Sequence, residues 1–301
     1  MHRRAFVVGL AQLAAGCVAG STPSDPAPRP RSEPPPRTPS PPADPLQAAA
    51  AKLREAYADE GFTVLVERPF VVAGDEAPET VRHRATSTVA WATARLKQAY
   101  FDTDPPGPVT IWLFRDDASY RHWARTLYEH RPDTPYGYYS PDVNALLMNI
   151  STGGGTLVHE LVHPFIDANF PTCPSWFDEG LASLYEQCGE RDGRIVGFEN
   201  WRLPGLQEAL STGTAPSFET LLHTSREAFY ADETGVHYAQ ARYLCFYLQH
   251  RGLLRRYYHA FRDAASTDPS GYATLQTVLD RTDMKAFAAA WSDFVLGLRY
   301  G

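Results

Sequence analysis

Two histidines and a glutamate near the middle of the chain have the types and spacing of a metal site. The stretch GTLVHELVH places His159, Glu160 and His163 in an H-E-x-x-H pattern. Residues four positions apart lie on one face of an α-helix, so the two imidazoles can bind one ion together. Glu160 points to one side of them. The pattern therefore predicts a metal-binding helix with a carboxylate that can take a proton from a water molecule.

A third candidate ligand lies sixteen residues beyond His163. The segment SWFDEGLASLYE predicts a second helix that begins close to Glu179. TLVHELVH is otherwise apolar, and burying two histidines and a carboxylate is costly unless they have a partner such as a metal ion. A catalytic zinc ion takes three protein ligands and keeps one open position. We therefore expect Zn²⁺ to be bound by His159, His163 and Glu179.

These two motifs together resemble the gluzincin metallopeptidases, the thermolysin-like, peptidase-MA-like clan. In that family H-E-x-x-H is followed by a helix with the pattern Trp-x-x-Glu-Gly-x-Ala, which WFDEGLAS at 176–183 matches. The resemblance is carried by residues 155–186 and implies zinc-dependent hydrolysis of peptide bonds. The residues it assigns are the zinc ligands His159, His163 and Glu179 and the general base Glu160.

The resemblance also implies a hydrogen-bond donor for the oxyanion, supplied by a Tyr or His of a downstream helix. The stretch GVHYAQARYL offers Tyr238, with His237 as the alternative. Tyr238 also belongs to an apolar helical stripe with Ala241, Cys245 and Leu248, so a purely structural role in the core stays open.

Other positions near the motif have two interpretations each. The strand ALLMNI (145–150) is expected beside the substrate, with Met148 and Asn149 either lining the cleft or buried in the core. Ser183 stands where thermolysin-like enzymes often have an Asp that orients a ligand histidine, which leaves Asp167 or Asp178 for that role. Arg202 is expected to pair with a surface acid or, alternatively, to bind a substrate carboxylate.

The predicted fold is α+β and zincin-like: a small mixed β-sheet, the H-E-x-x-H helix, then a mainly helical C-terminal half. The expected elements are a strand pair or one long bent strand at 62–74, helices at 79–101, 116–129 and 175–187, a strand at 109–114, a hairpin around PDVN, and a short strand at GRIVGF. If Cys17 is lipidated, Cys173, Cys188 and Cys245 remain. A Cys173–Cys245 disulfide and three buried thiols are equally compatible with the sequence.

The N-terminal region has the features of exported proteins. Residues 1–17 combine a basic start with a short apolar run and end in LAAGC, which resembles a bacterial lipobox with Cys17 as the lipid-modified residue. Residues 18–45 are proline-rich and predict an extended tether. The folded domain is expected at 46–301. We expect a membrane-tethered lipoprotein of the cell envelope, or alternatively a secreted protein.

Composition limits the classes of partner. The net charge is −7 with scattered charges, which argues against nucleic acid, and 44% hydrophobic residues can build a substantial core. The expected function is zinc-dependent cleavage of protein or peptide substrates. An endopeptidase is favoured because the Gly-x-Met-x-Asn segment of zinc aminopeptidases is absent. The alternatives are a non-catalytic binding protein that retains the fold and a zinc hydrolase of non-peptide substrates.

Overall fold

A five-stranded mixed sheet forms the first half of residues 44–301, the part of the chain that the computed structural model describes. Its strands are β1 (Thr63–Glu67), β2 (Phe70–Gly74), β3 (Val109–Phe114), β4 (Gly137–Ser140) and β5 (Ala145–Asn149). Their order in the sheet is β1-β2-β3-β5-β4. The β1–β2 and β4–β5 pairs are antiparallel, whereas β2–β3 and β3–β5 are parallel. β4 is therefore an outer strand.

Helices cover both faces of this sheet. The helices of the first half are α1 (Pro45–Ala56), α2 (Pro78–Arg84), α3 (Trp91–Ala99) and α4 (Asp117–Tyr128). A π-helical segment, Ala85–Ala90, joins α2 to α3, so the predicted helix at 79–101 is present with a change of winding in its middle. The predicted export signal and almost all of the predicted tether lie outside the described residues.

The two covered faces explain why the central strands are continuous apolar runs in the sequence. Successive residues of a strand point to opposite faces. In β3, Ile111 and Leu113 pack into the larger core, which extends into the helical half. Trp112 and Phe114 pack into a smaller core that α1 and α4 complete.

The second half is mainly helical, as the sequence predicts. Its helices are α5 (Gly154–Asn169), α6 (Ser175–Leu184), α7 (Leu203–Thr212), α8 (Phe218–Leu222), α9 (Arg226–Tyr230), α10 (Val236–His250), α11 (Leu254–Ala264), α12 (Tyr272–Leu279) and α13 (Met284–Gly297). The H-E-x-x-H helix is α5, at the junction of the two halves. It continues through Pro164, although proline removes one helical hydrogen bond. The predicted α+β class is thus confirmed.

A short hairpin interrupts the helices. It consists of β6 (Cys188–Arg191) and β7 (Arg194–Gly197), of which the sequence predicts only the second. Asp192 and Gly193, between the strands, have φ values of +52° and +71°. Positive φ at both central positions is the requirement of a type I′ hairpin turn, and Asp-Gly is a favoured pair there.

Helix α6 lies between α5 and α10, and small residues allow this close packing. A Cβ atom on Gly180 would come within 3.0 Å of the backbone oxygen of Ala241 in α10. On the same helix, the indole N–H of Trp176 donates to the backbone oxygen of Ser270 at 3.0 Å. These contacts fix α6, and with it Glu179, relative to the rest of the helical half.

Cys173, Cys188 and Cys245 are free thiols. Of the two arrangements that the sequence leaves open, the Cys173–Cys245 disulfide is therefore absent from the described residues. Cys245 is fully buried and the other two are partly buried. Burial raises the pKa of each thiol, to about 12 for Cys188. In residues 44–301 no helix is long and apolar enough to span a bilayer.

Candidate metal centre and cleft

The start of α5 is held close to the end of α6 by a glycine. Gly153, the residue before the helix, has a φ of +113°, a backbone conformation that favours glycine. A Cβ atom on Gly155 would lie 2.0 Å from the backbone oxygen of Glu186. The GGG stretch therefore allows α5 to touch the chain that follows α6, and this contact aligns the two helices that contain the candidate ligands.

The three predicted ligands meet between α5 and α6. One side-chain donor atom from each of His159, His163 and Glu179 lies within 4.8 Å of the others. His159 Nε2 is 3.3 Å from Glu179 Oε2, and the two imidazole ring centroids are 5.1 Å apart. All three side chains are largely buried. The sequence prediction that these residues come together is confirmed, and the cluster could hold a metal ion.

Carboxylates face the other nitrogen of each imidazole. His163 Nδ1 is 2.8 Å from Asp178 Oδ1, a hydrogen bond, which agrees with the role that the sequence leaves to Asp167 or Asp178. Asp167 lines the cleft, but no hydrogen bond or ion pair joins it to His163 within residues 44–301. His159 Nδ1 is 3.4 Å from Glu186 Oε1. Both histidines thus direct Nε2 toward the centre of the cluster.

The electrostatics of the cluster suit a cation. Burial alone would lower the pKa of His159, but contacts with Glu179 and Glu186 raise it well above its usual range. For His163, burial lowers the pKa, but the neighbouring carboxylates, Asp178 foremost, together outweigh it and raise the pKa to about 9. Glu179 Oε2 is buried and lacks a hydrogen-bond partner among the described residues. A positive ion at the cluster would supply that partner.

Glu160 lies beside the cluster, as the motif predicts. Its Oε2 accepts a hydrogen bond from the backbone N–H of Tyr139 at 2.9 Å and is 3.9 Å from His163 Nε2. Burial raises the pKa of Glu160, while the nearby His159 and His163 act in the opposite direction. A carboxylate with a raised pKa is better suited to accept a proton and release it again near neutral pH.

The cluster forms the floor of a cleft of about 1030 Å³. Its walls are formed by β4 with the segment before it, by α9, by the start of α10 and by the residues before α7. Three aromatic side chains on these walls are unusually exposed: Tyr136 (54%), Trp201 (51%) and Tyr230 (41%). Exposed aromatic groups gathered at one cleft are typical of a binding surface.

Of the two predicted oxyanion donors, only Tyr238 lines this cleft. His237 does not: its ring stacks on Phe229 and its Nδ1 is 3.9 Å from Asp232 Oδ2. These contacts place His237 against α9 and the loop before α10 and not in the cleft lining, so the alternative donor has no support from the cleft. Tyr238 is partly buried and packs against the larger core while it also lines the cleft, so both positions that the sequence leaves open are occupied by the same side chain.

Tyr230 is a site residue that the sequence analysis misses. Its hydroxyl donates to Glu179 Oε1 at 2.7 Å. Burial and the nearby Glu179 raise the pKa values of Tyr230 and Tyr238, so both phenols stay protonated and can donate. Nothing in the types or spacing of the residues around Tyr230 distinguishes it, since it reaches the site on the separate short helix α9.

The strand assigned to the substrate is corrected by the sheet order. β5, the predicted strand, is paired on both sides and has no free edge. Met148 and Asn149 are buried, and the Asn149 amide donates to the backbone oxygen of Pro135 at 2.8 Å. The strand with an open edge at the cleft is β4. β4 precedes β5 along the chain, but in the sheet β5 lies between β3 and β4, so the free edge belongs to β4.

Arg202 also differs from expectation, because its partner is a buried acid and not a surface one. Its Nη2 donates to Glu186 Oε1 at 2.7 Å and its Nε to Glu186 Oε2 at 2.9 Å. These two hydrogen bonds bind the Arg202 guanidinium to Glu186, although Arg202 also lines the cleft. Ser183, which follows Glu179 by four positions, is fully buried and its hydroxyl has no partner among the described residues.

No protein-family model matches this chain, and no curated protein matches it in sequence.

Proposed function

We propose that this chain is a zinc-dependent hydrolase that cleaves peptide bonds within polypeptides. The observation that carries the proposal is the convergence of three donor atoms within 4.8 Å, with the Glu160 carboxylate beside them on the floor of the cleft. A metal-binding cluster without catalysis needs no extra buried carboxylate, whereas hydrolysis needs one to move protons.

The donor set favours zinc over other ions. Two imidazole nitrogens and one carboxylate oxygen form a ligand type that catalytic zinc sites use, whereas Mg²⁺ and Ca²⁺ prefer oxygen ligands. Tyr230 donates a hydrogen bond to Oε1 of Glu179, which leaves Oε2 for the ion. When bound, zinc supplies Lewis acidity toward water and toward a carbonyl group.

Glu160 is the proposed general base. Its Oε2 would take the proton from the attacking water and then deliver it to the nitrogen of the leaving amine. The Tyr139 N–H holds this carboxylate at the cleft floor, where Glu160 is only 8% exposed. Proton transfer by a positioned carboxylate contributes about 10²- to 10⁴-fold to a rate.

Two phenols can stabilise the negative charge that develops on the substrate carbonyl oxygen. Tyr230 and Tyr238 both line the cleft, and their rings are 6.2 Å apart. Tyr230 reaches the cluster, since its hydroxyl is already 2.7 Å from a ligand oxygen. A substrate oxygen placed between the ligands and this hydroxyl would receive the hydrogen bond in turn.

The open edge of β4 supports an extended polypeptide as substrate. In an antiparallel pair, both backbone groups of alternate residues point away from the partner strand. Tyr139 belongs to the outward set, because its N–H reaches Glu160 and not β5. Gly137, two residues earlier, is in the same set, so the Gly137 amide and carbonyl and the Tyr139 carbonyl can pair with a substrate strand.

The proposed location is the cell envelope. It depends on the sequence of residues 1–45, where the basic start, the apolar run ending at Cys17 and the proline-rich segment predict export, a lipid anchor and a tether. A domain held in this way would act on envelope or extracellular polypeptides.

The decisive experiment measures metal content and peptide cleavage on the same protein. We expect about one zinc per chain by elemental mass spectrometry and cleavage of fluorogenic peptides or an unfolded protein substrate. Glu160→Gln should retain the metal and lose the cleavage, because the amide cannot accept the proton. Glu208→Gln, an exposed acid on α7, is the matched control and should cleave as the wild type does.

The other outcomes identify the alternatives. Zinc without cleavage of any peptide, ester or cell-wall substrate would indicate a non-catalytic binding protein that retains the fold. Cleavage confined to non-peptide substrates and lost in Glu160→Gln would indicate a zinc hydrolase of another substrate class. Absence of metal, even after zinc is added to the folded protein, would overturn the proposed function.

A further inference from the structure

A buried carboxylate lies behind His159 and is held from several directions. Glu186 follows the end of α6, and only 7% of its side chain is exposed. Its Oε2 accepts from Asn200 Nδ2 and from Arg202 Nε, both at 2.9 Å, and its Oε1 accepts from Arg202 Nη2 at 2.7 Å. Its Oε1 lies 3.4 Å from His159 Nδ1 without forming a hydrogen bond, and this buried nitrogen has no other partner among the described residues. Glu186 is thus the point where α5, α6 and the loop before α7 meet.

The groups that hold Glu186 are themselves fixed. Asn200 is fully buried; its backbone N–H donates to the Tyr243 hydroxyl at 3.1 Å, and its Oδ1 accepts from the backbone N–H of Arg202 at 3.1 Å. The Arg202 guanidinium lies over the Tyr238 ring, 5.2 Å from its centroid. The carboxylate therefore has little freedom to rotate away from His159.

An imidazole needs such a partner to present one particular nitrogen to a metal. A carboxylate that accepts the Nδ1 proton selects one tautomer, fixes the ring plane and leaves the Nε2 lone pair free. Asp178 stands in this relation to His163 at 2.8 Å. Ser183 cannot do so for His159, since its short side chain is buried without any partner among residues 44–301.

We propose that Glu186, clamped by Arg202 and Asn200, is the positioning residue for His159. Arg202 then supports the metal site by holding Glu186. It does not bind a substrate carboxylate. The inference depends on the proposed metal site, but it assigns a role to residues that the two motifs do not contain. The orienting acid comes from beyond the end of α6, seven positions after Glu179, where the chain turns back toward α5.

The test is a cobalt(II) titration of the full chain and of Glu186→Gln. Cobalt is used because its visible absorption reports the geometry of its ligands. We expect Glu186→Gln to remain folded, to bind cobalt about 10- to 100-fold more weakly and to show shifted absorption bands, as loss of an outer carboxylate does at other metal sites. Asp178→Asn should behave alike, because it removes the equivalent partner of His163.

The matched control is Glu190→Gln. Glu190 accepts a similar fork from Arg95, at 2.9 and 3.1 Å, but lies in the β6–β7 hairpin away from the ligands. It should bind cobalt as the wild type does, with an unchanged spectrum. Equal affinity and an identical spectrum for Glu186→Gln would overturn the inference, even if that variant were less stable to urea.

A second variant keeps the test decisive if Glu186→Gln does not fold. Arg202→Lys retains the charge but removes the two-pronged contact with Glu186. Folded Arg202→Lys with weaker cobalt binding and a shifted spectrum supports the inference, and wild-type binding by it contradicts the inference. A wild-type chain that binds no cobalt would overturn the proposed metal site itself, a result distinct from either of these.

Discussion

Glu179 divides its two carboxylate oxygens between two tasks. Oε1 accepts the Tyr230 hydroxyl at 2.7 Å, and Oε2 faces His159 Nε2 at 3.3 Å. Hydrogen bonds to one oxygen hold the carboxylate plane, so the other oxygen is directed at the ion. Tyr230 is therefore connected both to a ligand and to the position where a substrate oxygen would lie.

Replacing Tyr230 by phenylalanine tests this double connection. We expect Tyr230→Phe to lower kcat roughly 100-fold with a small change in KM, since it removes a donor that acts mainly on the transition state. Steady-state kinetics on a fluorogenic peptide is the measurement. Tyr300→Phe is the control, because Tyr300 is an exposed tyrosine that does not line the cleft. If Tyr230→Phe left kcat intact and Tyr238→Phe lowered it, Tyr238 would be the donor.

At the scale of single residues, the sequence predicts the site residues that short motifs contain. His159, Glu160 and His163 are found because one helical turn separates them, and Glu179 because its helix has a recognisable pattern. Tyr230 and Glu186 are not found, because they arrive on a separate helix and beyond a helix end. Their distance from the cluster depends on how the chain folds back, which no short pattern contains.

At the scale of elements, the alignment of α5 with α6 depends on one close approach. The backbone oxygen of Glu186 occupies the space that a Cβ atom on Gly155 would need. This oxygen belongs to the backbone, so it cannot move aside as the end of a flexible side chain can. A larger residue there would push apart the two helices that contain the candidate ligands.

Gly155→Ala should therefore destabilise the fold by about 1–3 kcal/mol, the usual cost of overpacking a tight site. It should also weaken metal binding. Gly154→Ala is a matched control in the same helix, since a Cβ there would meet nothing nearer than Thr88 at 4.0 Å. Urea unfolding of both variants is the measurement. Equal stability of the two proteins would show that this contact does not limit the packing of α5.

The sequence predicts most elements correctly but not their neighbours. The strands at 109–114 and 145–149 follow from their apolar runs, and the helix predicted at 116–129 is present at 117–128 with Asp116 as its N-cap. β6 is missed because CGER is short and polar. The substrate strand is misassigned because strand order within a sheet is set by long-range packing, and the apolar pattern of β5 is the same whether it is paired on one side or on two.

At the scale of the whole molecule, metal binding and pH are linked to stability through the histidines. Asp178 and the other nearby carboxylates raise the pKa of His163 to about 9 against the opposing effect of burial. Without metal, the contribution of protonated His163 to stability is complete below the unfolded pKa of about 6.5. It is lost as the pH rises through about 9. Metal needs neutral histidine, so its own contribution grows over the same range.

We therefore expect the increase in Tm on adding zinc to become larger between pH 6.5 and 8.5. At a zinc concentration a thousandfold above Kd, the stabilisation is about 4 kcal/mol. Calorimetry with zinc and with a chelator, at three pH values, is the measurement. The double variant His163→Ala, Glu179→Ala should show no increase at any of them. A zinc-dependent increase that is constant with pH would contradict the linkage to histidine protonation.

The hydrogen bond from the Tyr139 amide to Glu160 has a consequence for solubility. An outer strand with free backbone donors can pair with another copy of itself, and short length and nearby charges are the usual protection. β4 is four residues long, and one of its outward-facing amides, that of Tyr139, already donates its hydrogen bond to the Glu160 carboxylate. Alanine at position 160 would leave that amide open, whereas glutamine keeps an acceptor. Glutamine is thus the better substitution for an inactive protein that stays dispersed.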